Sequence, residues 1–191
     1  MSPISPVSRL YIALVHHPVL GRQAETIASA VTNLDLHDIA RAAKTYGAAG
    51  YFVVTPLEDQ KRLVKRIIAH WTDGSGARYN PLRAEAFELM RVCDSLADAA
   101  VLVSADTGKA PLVAATTARL YPGAVTMEYL KDRLNTSPVL LVFGTAWGLA
   151  PLVLERADCV LEPLAGKSAY NHLSVRSAVS IMLDRLAEDR V

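Results

Sequence analysis

The amino-acid sequence predicts an α/β fold, an open, mostly parallel six-stranded sheet with helices on both faces. Three observations predict it. Several short runs are apolar throughout rather than alternating, as in strands covered on both sides. Stretches with helical spacing fall between most of those runs. The chain has 191 residues, 51% of them hydrophobic and few aromatic, which is enough to bury one sizeable core. Residues 9–191 read as a single domain, behind a Pro- and Ser-rich lead over 1–8 that is expected to be disordered.

Six runs read as strands: "LYIALV" (10–15), "GYFVVT" (50–55), "AAVLVSA" (99–105), "PLVAAT" (111–116), "PVLLVFG" (138–144) and "DCVLEPL" (158–164). Helical patterns fall at about 37–46, 58–71, 81–97, 126–135 and 150–157. A last helix over about 173–188 carries an apolar stripe at Val175, Ala178, Val179, Met182 and Leu186. Asn80-Pro81 supplies a cap followed by proline at the first helical position. "TDGSGARYNP" (72–81) is the longest loop signal and is expected to be mobile.

Net charge is +1, so no global field draws the protein to nucleic acid, and any such contact must come from local patches. One candidate patch is "QKRLVKRIIAHW", where Lys61, Arg62, Lys65 and Arg66 recur opposite Leu63, Val64, Ile67, Ile68 and Trp71; the alternative reading of that pattern is a solvated helix face. Two cysteines, Cys93 and Cys159, make neither a disulfide framework nor a metal cluster. No apolar run approaches the roughly 20 residues that span a bilayer, and "MSPISPVSRL" does not read as a secretion signal. The cytoplasm is the expected compartment.

The common nucleotide and catalytic fingerprints are missing: the first strand runs into "HHPVLGRQAE", without G-x-G-x-x-G, and there is no P-loop, H-E-x-x-H or G-x-S-x-G. His16-His17 has no carboxylate or thiolate at ligand spacing, so no metal is expected there. The C-terminal third differs, because three loops with special chemistry each follow a strand. They are "AATTAR" (114–119), "FGTAWGL" (143–149) and "LEPLAGKSAYNHLSVRSA" (161–178). In an open α/β sheet ligands bind beyond the carboxyl ends of the strands, so these loops are expected to converge on one pocket. Gly144 and Gly148 allow backbone to approach a flat ligand, and Gly166 relieves a tight turn.

"ATTAR", "VFGTAWGL" and "LEPLAG…YNHLSVRSAV" in this order resemble the cofactor motifs of the SPOUT superfamily of RNA methyltransferases. "TNLDLHDIARAAKTYGAAGYFVVTP" (32–56) is similar to the first motif of its SpoU branch, which methylates ribose 2′-hydroxyls, with Arg41 and Tyr46-Gly47 at corresponding places. The nearest likeness is to the SPOUT domain sometimes fused to bacterial tRNA (guanine-N1) methyltransferases. The resemblance covers most of residues 10–188. It implies a C-terminal trefoil knot, S-adenosylmethionine (SAM) as cofactor, tRNA or rRNA as partner, and a homodimer without metal or membrane.

The resemblance also implies a site. Thr116 and Thr117 hold the ribose or methionine end of the cofactor. The adenine lies between the turn Phe143, Gly144, Thr145, Trp147, Gly148, Leu149 and the loop Leu161, Pro163, Leu164, Gly166, with Leu173 against it. Asn171, His172 and Ser174 bond the cofactor carboxylate or the substrate, while Ser174 equally suits a helix N-cap. Trp147 stacks on a base or simply packs. Arg41 is the expected catalytic residue, holding a phosphate or stabilising an alkoxide, with Ser174 beside it. His37 can act as a base or contact RNA, and Arg22, Asn33, Arg83 and Arg119 are candidates for RNA backbone contacts.

Three departures bear on the acceptor rather than on the cofactor. Ala146 and Trp147 stand where the SpoU second motif carries a glutamate, Asp35 stands where an Asn is expected, and His172-Leu173-Ser174 replaces Asn-Val-Ser. A ribose 2′-hydroxyl is the first expectation and a base nitrogen the second. A non-catalytic cofactor- or RNA-binding module serving a partner methyltransferase is the rival from another class, and a flavodoxin-like small-molecule enzyme is a third.

Overall fold

The computed structural model describes residues 9–168 and 170–187; the expected lead over 1–8 lies outside them. Six parallel strands are ordered β5-β4-β1-β7-β6-β8. Their spans are β1 Leu10–Val15, β4 Gly50–Val54, β5 Met90–Cys93, β6 Leu112–Ala115, β7 Val139–Gly144 and β8 Cys159–Val160. A small antiparallel pair, β2 Val19–Leu20 with β3 Thr26–Ile27, follows β1. The helices are α1 Asn33–Thr45, α2 Glu58–Thr72, α3 Ser75–Tyr79, α4 Pro81–Phe87, α5 Leu96–Thr107, α6 Met127–Leu134, α7 Pro151–Arg156 and α8 Val175–Ala187.

All six residues of β1 are buried, and the period of two sends them into separate cores. Leu10, Ile12 and Leu14 meet Leu36 and Ile39 of α1, Phe87 of α4, Leu130 of α6 and Met182 of α8 on one face. Tyr11, Ala13 and Val15 meet Ala99 and Val103 of α5 and Val153 of α7 on the other. That two-sided cover is why the strands read as unbroken apolar runs.

Two expectations fail, and one cause explains both. The run 99–105, expected as a strand, lies inside α5. Ser95 and Asp98 form a capping box, each side chain accepting from the other's backbone N–H at 3.0–3.1 Å. Gly108 closes the helix in the left-handed region at φ 70°. Only one stripe is covered: Ala99 and Val103 are buried at i, i+4, while Val101 is 67% exposed. The third sheet strand is β5, which lies within the expected helix 81–97; that helix ends at Phe87. Strand count and sheet class survive the exchange.

Smaller corrections follow. The expected loop 72–81 contains α3, α1 begins at Asn33 rather than 37, and α8 begins at Val175. Strand 158–164 shrinks to Cys159–Val160, because Leu161 leaves the sheet after one isolated bridge to Val125. Asn80 caps α4 as expected, its side chain accepting from Arg83 N, with Pro81 leading the helix. No helix among the described residues is long and apolar enough to cross a membrane.

Candidate functional site

Strands β7, β6 and β8 are neighbours, so their three following loops leave the same sheet edge side by side. The connection after β6 returns across β8: Val125 N donates to Val160 O, and Glu162 N donates to Val125 O. Leu161 N donates to Ala115 O, and Asn171 Nδ2 reaches Ala118 O at 3.4 Å. The first and third loops are therefore laced together.

The second loop is a tight turn stitched to the segment after β1. Trp147 N donates to Leu20 O, Leu20 N to Gly148 O, Ala150 N to Pro18 O and Gly148 N to Thr145 O. Gly148 holds φ 105°, which a side chain strongly disfavours. Thr145 anchors the turn from beneath. Its hydroxyl donates to Val15 O at 3.0 Å and lies 2.5 Å from Ser29 Oγ, itself 3.0 Å from His16 Nδ1. Burial lowers the His16 pKa to about 4, against a smaller opposing pull from the Ala30 carbonyl. The buried ring therefore stays neutral and belongs to the turn's support. Among the described residues no group of three His, Cys, Asp or Glu side chains could hold a metal.

A hollow of about 180 Å³ opens in the third loop, between Leu164, Ala165, Gly166, Tyr170, Asn171, His172, Leu173 and, on α8, Ile181 and Arg185. Leu164, Leu173 and Ile181 offer apolar walls, Asn171 and His172 polar edges, and Arg185 a cation for a carboxylate. Small-molecule sites usually enclose roughly 300–1,000 Å³, so the hollow has room for part of such a molecule. An open depression of about 500 Å³ shares Ile181 with it and is lined by Asp38, Ser174, Arg176, Ser177 and Ser180. Arg176 crosses from α8 to α1, with NH1 2.9 Å from Asp35 Oδ1 and Nε 3.4 Å from Asp38 Oδ2.

The expected cofactor residues divide accordingly. Leu164, Gly166, Asn171, His172 and Leu173 line the hollow, and Ser174 lines the depression. Ser174 also caps α8, its hydroxyl accepting from Ser177 N at 3.2 Å. Thr116, Thr117, Pro163 and the turn 143–149 do not line the hollow. Thr116 Oγ1 donates to Val142 O, and Thr117 Oγ1 accepts from Arg119 N. The side chains of Phe143, Leu149 and Leu161 are spent in the cores. Trp147 is 55% exposed rather than packed away. Gly166 has open space around it and no positive φ, so no tight turn needs it. Tyr170, Ile181 and Arg185 were not foreseen, although Ile181 and Arg185 stand four apart on one helix face.

Arg41 is exposed on α1, forms no ion pair among the described residues and does not line the hollow. It lies three residues from Asp38, hence beside it on the helix surface. Arg22, Asn33 and Arg119 are exposed. His37 and Arg83 are brought together around Trp71, and the His37 pKa is lowered by burial first, then by Arg83, with Arg41 and His70 adding and Asp38 opposing. Of the basic stripe on α2, Lys61 is tied to Glu58 and Asp94, and Arg62 to Asp59.

Comparison with known proteins agrees with the sheet and its loops. A family model described as SAM-dependent RNA methyltransferase matches residues 9–188. A tRNA (guanine-N(1)-)-methyltransferase of Oleidesulfovibrio alaskensis is 46% identical over 184 residues, 96% of this chain and 43% of that protein. The chain thus spans less than half of that relative. An uncharacterized protein of Aquifex aeolicus is 37% identical over 179 residues, 93% of this chain and 87% of its own length. Among solved structures, the A. aeolicus TrmH/SpoU tRNA modifying enzyme shares the fold with a TM-score of 0.57 and 16% identity, over 94% of this chain and 74% of the other. The chain belongs to the SAM-dependent RNA methyltransferase family.

Proposed function

We propose that this chain transfers a methyl group from SAM to a guanine base nitrogen of tRNA. The observation that carries the reading is the pair of hollows meeting at Ile181: a smaller, partly open one with apolar walls and polar edges, and a wider, more open one bearing a carboxylate. When bound, SAM supplies an electrophilic methyl carbon. The chain must hold the acceptor in line with it and take up a proton. The Asp38 carboxylate faces the open depression and is the candidate to accept the guanine N1 proton. Arg176 steadies Asp38 from α8, and Arg41, the next residue round on α1, holds a phosphate of the same nucleotide. Leu164, Leu173 and Ile181 receive the adenine, and the Ala165–Gly166 segment that lines the same hollow meets its polar edge.

Support for a base acceptor comes from the three departures from the ribose motif, and the 46% identical relative, 43% of which this chain covers, carries a guanine-N1 name. Asp35, at the place of the motif Asn, is buried and engaged by Arg176. A ribose 2′-hydroxyl is the second reading, favoured by Arg41 in the SpoU register. The laced loops at Val125–Leu161 and Asn171–Ala118 support a trefoil knot. Exposed Tyr170 and Leu173 beside the hollow support a homodimer that covers it, acting in the cytoplasm where tRNA is found.

Purified chain incubated with methyl-labelled SAM and tRNA lacking the modification is expected to yield labelled 1-methylguanosine after digestion to nucleosides. Labelled 2′-O-methyl nucleosides select the ribose reading instead. SAM binding without transfer leaves a cofactor-binding module that depends on a partner domain.

A further inference from the structure

One cluster lies outside both hollows. The His37 ring sits 5.3 Å from Trp71 and 4.7 Å from Phe87. His70 lies edge-on to Trp71 at 5.1 Å, and the Arg83 guanidinium lies over it at 4.6 Å. Arg83 has no carboxylate partner among the described residues, and its Nε is buried without a hydrogen bond. The carboxylate that bears on His37 is Asp38, which Arg176 engages at 3.4 Å. Arg83 is thus a cation set on an aromatic cluster without a carboxylate partner among the described residues. Tyr79 and Leu82, four residues and one residue before Arg83, are 85% and 77% exposed.

We propose that Arg83, His37 and His70, arranged around Trp71, form a seat for the sugar–phosphate backbone of RNA, with Tyr79 as the platform for an unpaired base. The inference rests on the RNA methyltransferase reading and extends it to a second contact surface. A guanidinium held over an indole keeps its outer N–H fork pre-organised, the geometry that grips phosphate oxygens. An exposed aromatic beside cations is the usual arrangement for single-stranded nucleic acid, in which charge tracks the backbone and the ring stacks on a base. Arg41 links the seat to the open depression, four residues from His37 and three from Asp38 on α1.

The test is filter binding of unfractionated bacterial tRNA across a salt series, with SAM affinity measured in parallel by calorimetry. Arg83→Gln is expected to weaken tRNA binding about tenfold and to lower the slope of log affinity against log salt by about 1. Tyr79→Ala is expected to weaken binding about tenfold with the slope unchanged. SAM affinity stays at the wild-type value in both. Arg83→Lys keeps the charge and is expected to retain the slope, which separates loss of charge from loss of packing on Trp71. Weak binding by Arg83→Gln with Arg83→Lys no better in slope shows that Arg83 only packs, and overturns the seat. Wild-type tRNA affinity in both Arg83→Gln and Tyr79→Ala also overturns it, and leaves the methyltransferase reading standing. A wild-type chain that binds SAM but no tRNA refutes the RNA reading itself, and the seat with it.

Discussion

Gly144→Ala tests the turn after β7 with the smallest possible change. A Cβ at Gly144 would lie 2.5 Å from Leu149 N, 2.8 Å from Gly148 C and 3.0 Å from Leu149 Cγ. Ordinary contact begins at 3.4 Å, so the Leu149 backbone must retreat by about 1 Å. That retreat works against four hydrogen bonds of 2.8–3.2 Å that bind the turn to Pro18–Leu20 and to itself. Losing two of them costs about 2 kcal/mol, and the overpacking adds about 1 kcal/mol or more. A total of about 3 kcal/mol lowers Tm by about 6–12 °C for a domain of this size. The added methyl thus strikes the turn's own backbone rather than filling an open pocket. The turn does not line the hollow assigned to SAM, so SAM affinity should hold in the folded variant while the melting temperature falls. Thermal melts by circular dichroism and SAM titration together decide the matter. A Tm within about 1 °C of wild type, meaning a total cost near 0 in place of about 3 kcal/mol, refutes the tight-turn argument. A lowered Tm accompanied by lost SAM affinity in the folded variant places the cofactor against the turn and contradicts its assignment to the hollow at Leu164–Leu173.

Three further perturbations read other parts of the account. Arg41→Ala should abolish turnover while SAM affinity holds; unchanged turnover on the true substrate removes Arg41 from the reaction. Arg176→Met leaves Asp35, only 7% exposed, without its partner, which should cost about 2 kcal/mol. Adding Asp35→Asn should recover most of that loss, and a full additive loss in the double variant argues against the pair. His16 titrates near 4 when folded and near 6.5 when unfolded. The unfolded chain therefore binds the extra proton between those values, and stability falls as pH drops through that window. The loss is about 3 kcal/mol, read by urea titration across pH, and His16→Asn should flatten it; a wild-type profile with no such slope shows that the ring is not held neutral.

Much of the fold was legible because burial on two faces writes itself into sequence as unbroken apolar strands, as at 10–15 and 139–144. The run 99–105 misled because Ala and Val fill a covered helix stripe as readily as a strand. The signal that separates the two lay outside the run, in the Ser95–Asp98 box and Gly108. The three loops were legible as a group, since each follows a strand at the same edge. The division of labour inside them was not. Thr145 and Thr116 turn their hydroxyls to carbonyls of β1 and β7, and those contacts span up to 130 residues of sequence. Ile181 and Arg185 enter the hollow through the way α8 docks beside the loop, which no local pattern announces.

The central claim is that the hollow at Leu164–Leu173 receives SAM. Gly166 offers the cleanest probe, because a side chain there meets nothing within 4 Å and its backbone needs no positive φ. Calorimetric titration of Gly166→Trp with SAM should show binding abolished in a protein that melts like the wild type, which itself binds one equivalent per chain. Undiminished heat of binding in Gly166→Trp would contradict the account.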